Sequence, residues 1–380
     1  MPDRLTGIRR VLLHAPADRL VDWLAAELTQ AYGIAQAELL QVDYRLSALV
    51  PLSGGTPETS PGSAAWRSFD HQAEVVENGV GYLPVTARGD RAGVLRLSPA
   101  PADPQLRSEL AEVAILLAHE LAGVRSGTDR YAVAARTRRL TLAAEMQWEL
   151  LPGRCRIRPA FSLAGQLEPA YAVRGDSFDW ADDGHRLWLS VINGMGEGVA
   201  ASTLTCLATN ALRNARRAEL ALADQAALAD QAIYSYHRGT QHVAALLLDL
   251  DLTSGRLTAV DAGSPRLLLV RDGETTQQEL EDQLPLGMFE GTMYHEQTFQ
   301  LAPDDRLFVV SDGLYEAVNE SGTYGESTLE RTVKRTRPMQ PLEAVRALLG
   351  DVRAFAGSDL VDDAVAVCLD WFGPRSSEAQ

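Results

Sequence analysis

The sequence predicts an α+β protein in two modules, and three observations carry that prediction. The chain has 380 residues, long for one hydrophobic core and natural for two. Over its first third the pattern runs helix, antiparallel strands, closing helix. From residue 160 onward, strand-like runs are grouped around three long helical stretches, which suits sheets with helices packed outside them.

In the first module, Leu20, Leu24, Leu28 and Ala31 stand at helical spacing over residues 18–32, with Asp18 as a cap and Gly33 as the stop. Strands are expected at 37–43 and 46–50, then a loop rich in Gly, Pro, Ser and Thr from Leu52 to Ser63. Residues 81–87 and 92–97 flank Arg88-Gly89-Asp90 as a hairpin. Leu106, Leu110, Val113, Leu117 and Leu121 then form a second helical stripe. Next, Arg130 to Leu151 reads as one continuous helix, strong in Ala, Leu, Arg and Glu, that ends at Pro152-Gly153. Val133, Leu140 and Gln147 fall at heptad spacing within it. Such a helix suits either a coiled-coil signal linker in a dimer or a rigid spacer.

The second module is expected to hold strands near 160–166, 170–175, 186–192, 242–250, 256–261, 266–271, 294–300, 306–311 and 364–370, with helices at 199–216, 220–236 and 340–355. The domain division is therefore 1–126, a helical linker at 127–153, 154–372, and a disordered tail at 373–380.

Fifty-one acidic against 35 basic side chains leave a formal charge of −16, which argues against nucleic acid or an anionic membrane as partner. Cys155, Cys206 and Cys368 are far apart, odd in number and set among apolar residues, so they read as buried reduced thiols. With no leader pattern and no apolar run long enough to span a bilayer, the expected location is the cytoplasm.

Four short signatures carry the chemistry: Arg174-Gly175-Asp176-Ser177-Phe178-Asp179, Asn193-Gly194-Met195-Gly196-Glu197-Gly198, Ser311-Asp312-Gly313-Leu314-Tyr315-Glu316 and Asp362-Asp363-Ala364-Val365. Hard divalent cations take oxygen ligands, so carboxylates gathered at one end of a sheet suit metal-assisted hydrolysis. An isolated Asp at a strand end is more simply a turn or cap. Other readings are weaker: Gly194-x-Gly196 lacks the rest of a dinucleotide fingerprint, and Cys206 lies one residue too far from Arg213 for a cysteine-phosphatase loop.

In order and spacing these signatures, with Asp261-Ala262-Gly263-Ser264-Pro265 and Pro285-Leu286-Gly287, resemble the PP2C superfamily of metal-dependent serine/threonine phosphatases, in its bacterial SpoIIE/RsbU-type branch, over residues 140–371. The resemblance implies a PP2C-like β-sandwich flanked by helices, and two Mn²⁺ or Mg²⁺ ions held by Asp176, Asp312 and Asp362 with the Gly194 carbonyl. Asp363 and Asp179 are second choices in that set. It also implies a phosphorylated regulatory protein, such as an anti-sigma-factor antagonist, as substrate. The first module, through its element order and the 85–95 hairpin, resembles a GAF sensor domain, with a homodimer as the expected assembly.

The chain departs from the family pattern at three positions. Asn193 stands where the resemblance places a bridging Asp, which leaves open a weakened phosphatase with one site lost, a silent pseudophosphatase that only binds its partner, or an engineered variant. Arg174 replaces a glycine, and its guanidinium is either a phosphate clamp or a solvated charge. Ser264 stands where a histidine is common in the family.

Overall fold

The computed structural model describes residues 4–169, 173–320, 322–357 and 360–374. The chain divides into two compact units, Met1–Arg139 and Leu140–Gln380.

The first unit contains α1 (Arg4–His14), α2 (Leu20–Tyr32), β1 (Gln36–Val42), β2 (Leu49–Pro51), α3 (Ala64–His71), β3 (Val75–Glu77), β4 (Val80–Ala87), β5 (Asp90–Ser98), α4 (Pro104–Val124) and α5 (Arg130–Ala134). Its five strands form one antiparallel sheet in the order β2-β1-β5-β4-β3. The apolar stripes of α2 and α4 meet the sheet in one core, where Leu24, Leu28, Val113 and Leu117 pack with Leu39, Leu83 and Leu95. Period 3.6 on the helices and period 2 on the strands bring these residues to a common face.

The expected continuous helix at 130–151 is corrected: it is two short helices, α5 and α6 (Leu142–Leu150). Side-chain and backbone groups give the chain between them other partners. The Thr137 hydroxyl donates to the Asp43 carboxylate at 2.9 Å, the Tyr44 amide donates to the Ala135 carbonyl at 3.2 Å, and the Thr141 hydroxyl caps α6 by accepting from the Ala144 amide at 3.2 Å. Arg136, Arg138 and Arg139 add like charge over a single turn. The heptad seam is therefore broken: Val133 lies in α5 of the first unit and Gln147 in α6 of the second.

The second unit continues with β6 (Cys155–Arg158), β7 (Phe161–Glu168), β8 (Asp176–Asp182), β9 (Arg186–Gly194), α7 (Gly198–Arg217), α8 (Leu222–His237), β10 (Val243–Asp251), β11 (Arg256–Ala262), β12 (Arg266–Arg271), β13 (Glu274–Gln277), β14 (Gln297–Gln300) and β15 (Asp305–Val310). It ends with α9 (Asp312–Tyr315), β16 (Val318–Asn319), β17 (Gly322–Thr323), α10 (Tyr324–Ser327), α11 (Leu329–Arg335), α12 (Pro341–Ala356) and β18 (Ala364–Trp371). One sheet runs β14-β11-β10-β9-β8 and a second runs β13-β12-β15-β18-β7-β6. Helices α7 and α8 bury Leu204, Ala208 and Ile233 against Ile192, Leu247 and Val260 of the first sheet. Helices α11 and α12 bury Val333, Val345 and Leu348 against Leu268, Phe308 and Cys368 of the second. Where β7 and β8 approach each other, Gly165 is required, because a Cβ there would lie 2.8 Å from both the Phe178 and Trp180 rings.

Two further expectations change. The strand placed at 170–175 falls partly on residues outside those described, and 173–175 are not extended into a strand; β8 begins at Asp176. Residues 375–380 of the expected tail also lie outside the described residues. Cys155 and Cys368 are buried, but Cys206 on α7 is only half-buried. Among the described residues, no helix is long and apolar enough to cross a membrane.

Phe308, fully buried in the α12-facing core, sets a first prediction. Phe308→Ala should lower unfolding stability by about 3–5 kcal/mol, read as a lower urea midpoint; a change below about 1 kcal/mol would mean that this core collapses around the void.

Candidate active site

Strand register brings the acidic signatures to one end of the two sheets. Asp176, first residue of β8, lies opposite Asn193 near the end of β9. In the second sheet, Asp312 follows β15, Asp362 and Asp363 precede β18, and Val310 pairs with Ala366. All of the expected acids except Asp179 meet there. Gly313 makes the approach possible: a Cβ at that position would lie 1.9 Å from the Asp363 carbonyl oxygen.

Asp363 works as an anchor. One of its carboxylate oxygens accepts from the backbone amides of Arg174 (2.8 Å) and Gly175 (2.9 Å) and from the Gln147 side chain (2.9 Å). Gln147, almost fully buried on α6, also donates to the Asp176 carbonyl at 3.0 Å. The sequence offered Gln147 only as a heptad position; a polar residue on the buried face of a short helix was the available signal.

Asp176 is in the opposite condition. It is 0% exposed, and neither carboxylate oxygen has a hydrogen-bond partner. Burial pushes its pKa well above the ordinary value, and the charges of Asp363 and Asp312 push it further. The neighbouring Ser311 hydroxyl opposes that rise. Burial likewise raises Asp312, and burial with the Asp312 charge raises Asp362 to about 6. Arg174 opposes the rise at Asp362 by its charge, while its own guanidinium pairs with Glu197 at 3.2 Å.

These donors fit a divalent cation. A buried carboxylate with no donor, set among like charges, is a costly arrangement that a bound cation relieves. Asp312, Asp362 and the Gly194 carbonyl are further hard oxygens on the same chain ends. Among the described residues, however, no three Asp, Glu, His or Cys side chains close on a common point as a finished ligand set. Asn193 fits a bridging role poorly: its amide nitrogen donates to the Asp312 carboxylate at 2.6 Å and lies 3.4 Å from the Ser264 hydroxyl, so it occupies an oxygen that a cation would use.

Asp179 is excluded from this cluster. Its carboxylate receives Arg213 at 2.7 Å and Arg216 at 3.0 Å, both from α7, and serves as a sheet-to-helix ion pair.

The family model for stage II sporulation protein E, SpoIIE, matches residues 183–372, half of the chain. That span contains Asn193, Asp312, Asp362 and Asp363 and starts after Asp176. Among solved structures, the RsbU and RsbW domains of a Mycobacterium tuberculosis protein are similar at 23% identity and a TM-score of 0.49, covering 60% of this chain and 63% of that one. The PP2C phosphatase domain and regulatory-domain fragment of SpoIIE from Bacillus subtilis match at 18% identity and 0.49, over 57% of this chain and 65% of that one. The SiaA PP2C domain of Pseudomonas aeruginosa matches at 19% and 0.48, over 54% and 83%. The chain thus spans under two thirds of the first two structures. No curated protein sequence matches it.

Asp261, near the end of β11 and 8% exposed, yields a pH prediction. Burial raises its pKa to about 6, the Gly263 amide opposing and the Asp282 charge adding. Because the folded value lies above the unfolded one, its contribution to stability is fully present below about pH 4 and is lost as pH rises through about 6. Asp261→Asn should therefore remove about 1–3 kcal/mol of the stability change between pH 4 and 7.5. Parallel urea-midpoint profiles for the native chain and the variant would show Asp261 to be insulated from its burial.

Proposed function

The chain belongs to the SpoIIE family of PP2C-type protein serine/threonine phosphatases, and from that membership we propose that it hydrolyses phosphoserine or phosphothreonine on a regulatory protein of the anti-sigma-factor-antagonist class. The observation that carries the reading is Asp176, a fully buried carboxylate with neither oxygen satisfied, beside three other acids. Asp176, Asp312 and Asp362, with the Gly194 carbonyl, are the oxygens that would hold Mn²⁺ or Mg²⁺. Such an ion, when bound, lowers the pKa of a water and offsets charge on phosphoryl oxygens. Asp363 keeps the Arg174-Gly175 backbone and Gln147 in place. Arg174, 37% exposed in its side chain, orients a phosphate oxygen by exchanging Glu197 for it.

Asn193 sets the level of activity. An amide supplies one neutral oxygen where a carboxylate supplies two charged ones, so attraction for a second cation falls. Asn193→Asp should raise Mn²⁺-dependent hydrolysis of a phosphoserine protein by on the order of 10²–10³. Calorimetry supplies the occupancy control. A variant that binds Mn²⁺ and hydrolyses no faster would turn the reading toward a silent module that binds the phosphorylated partner.

The first unit, on this proposal, is a GAF-like sensor and dimerising domain. Its support is the single antiparallel sheet with α2 and α4 on one face, and exposed apolar side chains Trp23 on α2 and Ile115 on α4. Light scattering of the full chain at micromolar concentration should give the mass of a dimer, and Trp23→Glu/Ile115→Glu that of a monomer. A monomeric native chain would remove the dimer from the proposal.

A further inference from the structure

Beside the acidic cluster lies a groove of about 620 Å³, lined by Asp261, Ser264, Arg266, Gln277, Glu279 and Asp282 among others. Its lining carries three carboxylates, Asp261, Glu279 and Asp282, against the one guanidinium of Arg266. Asp261 is almost wholly buried, accepts from the Gly263 amide at 3.1 Å, and has the Asp282 carboxylate acting on it; among the described residues no ion pair joins it to a cation. The Gln283 amide donates to the Asp261 carbonyl at 2.9 Å, which fixes the segment carrying Asp282 beside β11. Arg266 also lines the groove, its guanidinium 3.7 Å above the Tyr315 ring, a contact that holds it in place and leaves its charge.

The groove opens onto the proposed site through Ser264. The Ser264 hydroxyl meets the Asn193 amide, and its carbonyl accepts from the Tyr315 hydroxyl at 2.7 Å. Register gives the separation. Asn193 lies opposite Ala244 on β10 and Asp261 opposite Leu246 on the same strand. Two interstrand spacings and two residues along the strand make roughly 12 Å, the length of about three or four residues of extended peptide.

Resting on the phosphatase reading above, we propose that this groove recognises the substrate by receiving a Lys or Arg side chain within about four residues of the phosphorylated one. Asp261 and Asp282 are its counter-charges. A buried carboxylate whose bonded donor is a backbone amide gains most from a charged one, and the exposed carboxylates Glu279 and Asp282 favour the approach of a basic segment.

The test uses the full chain with Mn²⁺ and two fluorescent phosphoserine peptides that carry Lys or Glu at three and four residues on either side of the phosphoserine. The native chain should bind the Lys peptide about tenfold more tightly. Asp282→Arg, a change at an exposed position, should abolish or invert that preference. Equal Kd values for the two peptides on the native chain, or a preference that Asp282→Arg leaves in place, would overturn the proposal. Hydrolysis of a small aryl phosphate by the native chain reads the underlying activity alone, since that molecule is too short to span 12 Å or so. A chain that cleaves the aryl phosphate and shows no charge preference loses only the groove. One that prefers the Lys peptide but cleaves nothing keeps the groove as a docking site and loses the phosphatase reading.

Discussion

A single carboxylate oxygen of Asp363 accepts three N–H groups, from Arg174, Gly175 and Gln147, and the arrangement of the acidic end depends on it. Asp363 leads into β18 of one sheet, Arg174 and Gly175 lead into β8 of the other, and Gln147 belongs to α6. Charge-assisted bonds of this kind are stronger than neutral ones, and here they join two sheets and a helix at one point. Asp362 and Asp176 are thereby fixed one residue from the anchor on either side, and their carboxylates are left in mutual repulsion. Such a local cost is the kind of violation that functional sites commonly carry.

The Asn193–Asp312 bond is the counterpart of that repulsion. The amide lowers the pKa of Asp312 while burial raises it, so Asn193 offsets part of the cost of burying that carboxylate. An aspartate at 193 would face Asp312 and Asp176 as another negative charge and add to the repulsion there. The amide that relieves this repulsion also offers less charge to a divalent cation than a carboxylate would.

Much of this fold was legible in the sequence. Helices α7, α8 and α12 have apolar stripes at helical spacing, and β10, β11, β12 and β15 are apolar runs bounded by turn residues. What escaped was decided by tertiary contacts. The stretch from Arg130 to Leu151 has helical composition, yet Asp43 and the Thr141 cap hold its middle out of the helix. The start of β8 depends on the Asp363 anchor, 188 residues away from Gly175, and no local pattern encodes it. Gln147 gained its place by the same long-range bond.

Asp176 and Asp179 show how far a motif reaches and where geometry takes over. Both lie on β8 and both are buried, at 0% and 3% exposure, so residue type and burial do not separate them. Their spacing does. Three residues along a strand is an odd number, and alternate side chains point to opposite faces. Asp176 shares the face of Phe178 and Trp180, whose rings stand over Gly165 of the other sheet. Asp179 faces α7, where Arg213 and Arg216 neutralise it. Two acids of one short signature thus do opposite electrostatic work: one closes a helix onto the sheet with its charge matched, and the other stands between the sheets as a buried carboxyl with neither oxygen hydrogen-bonded.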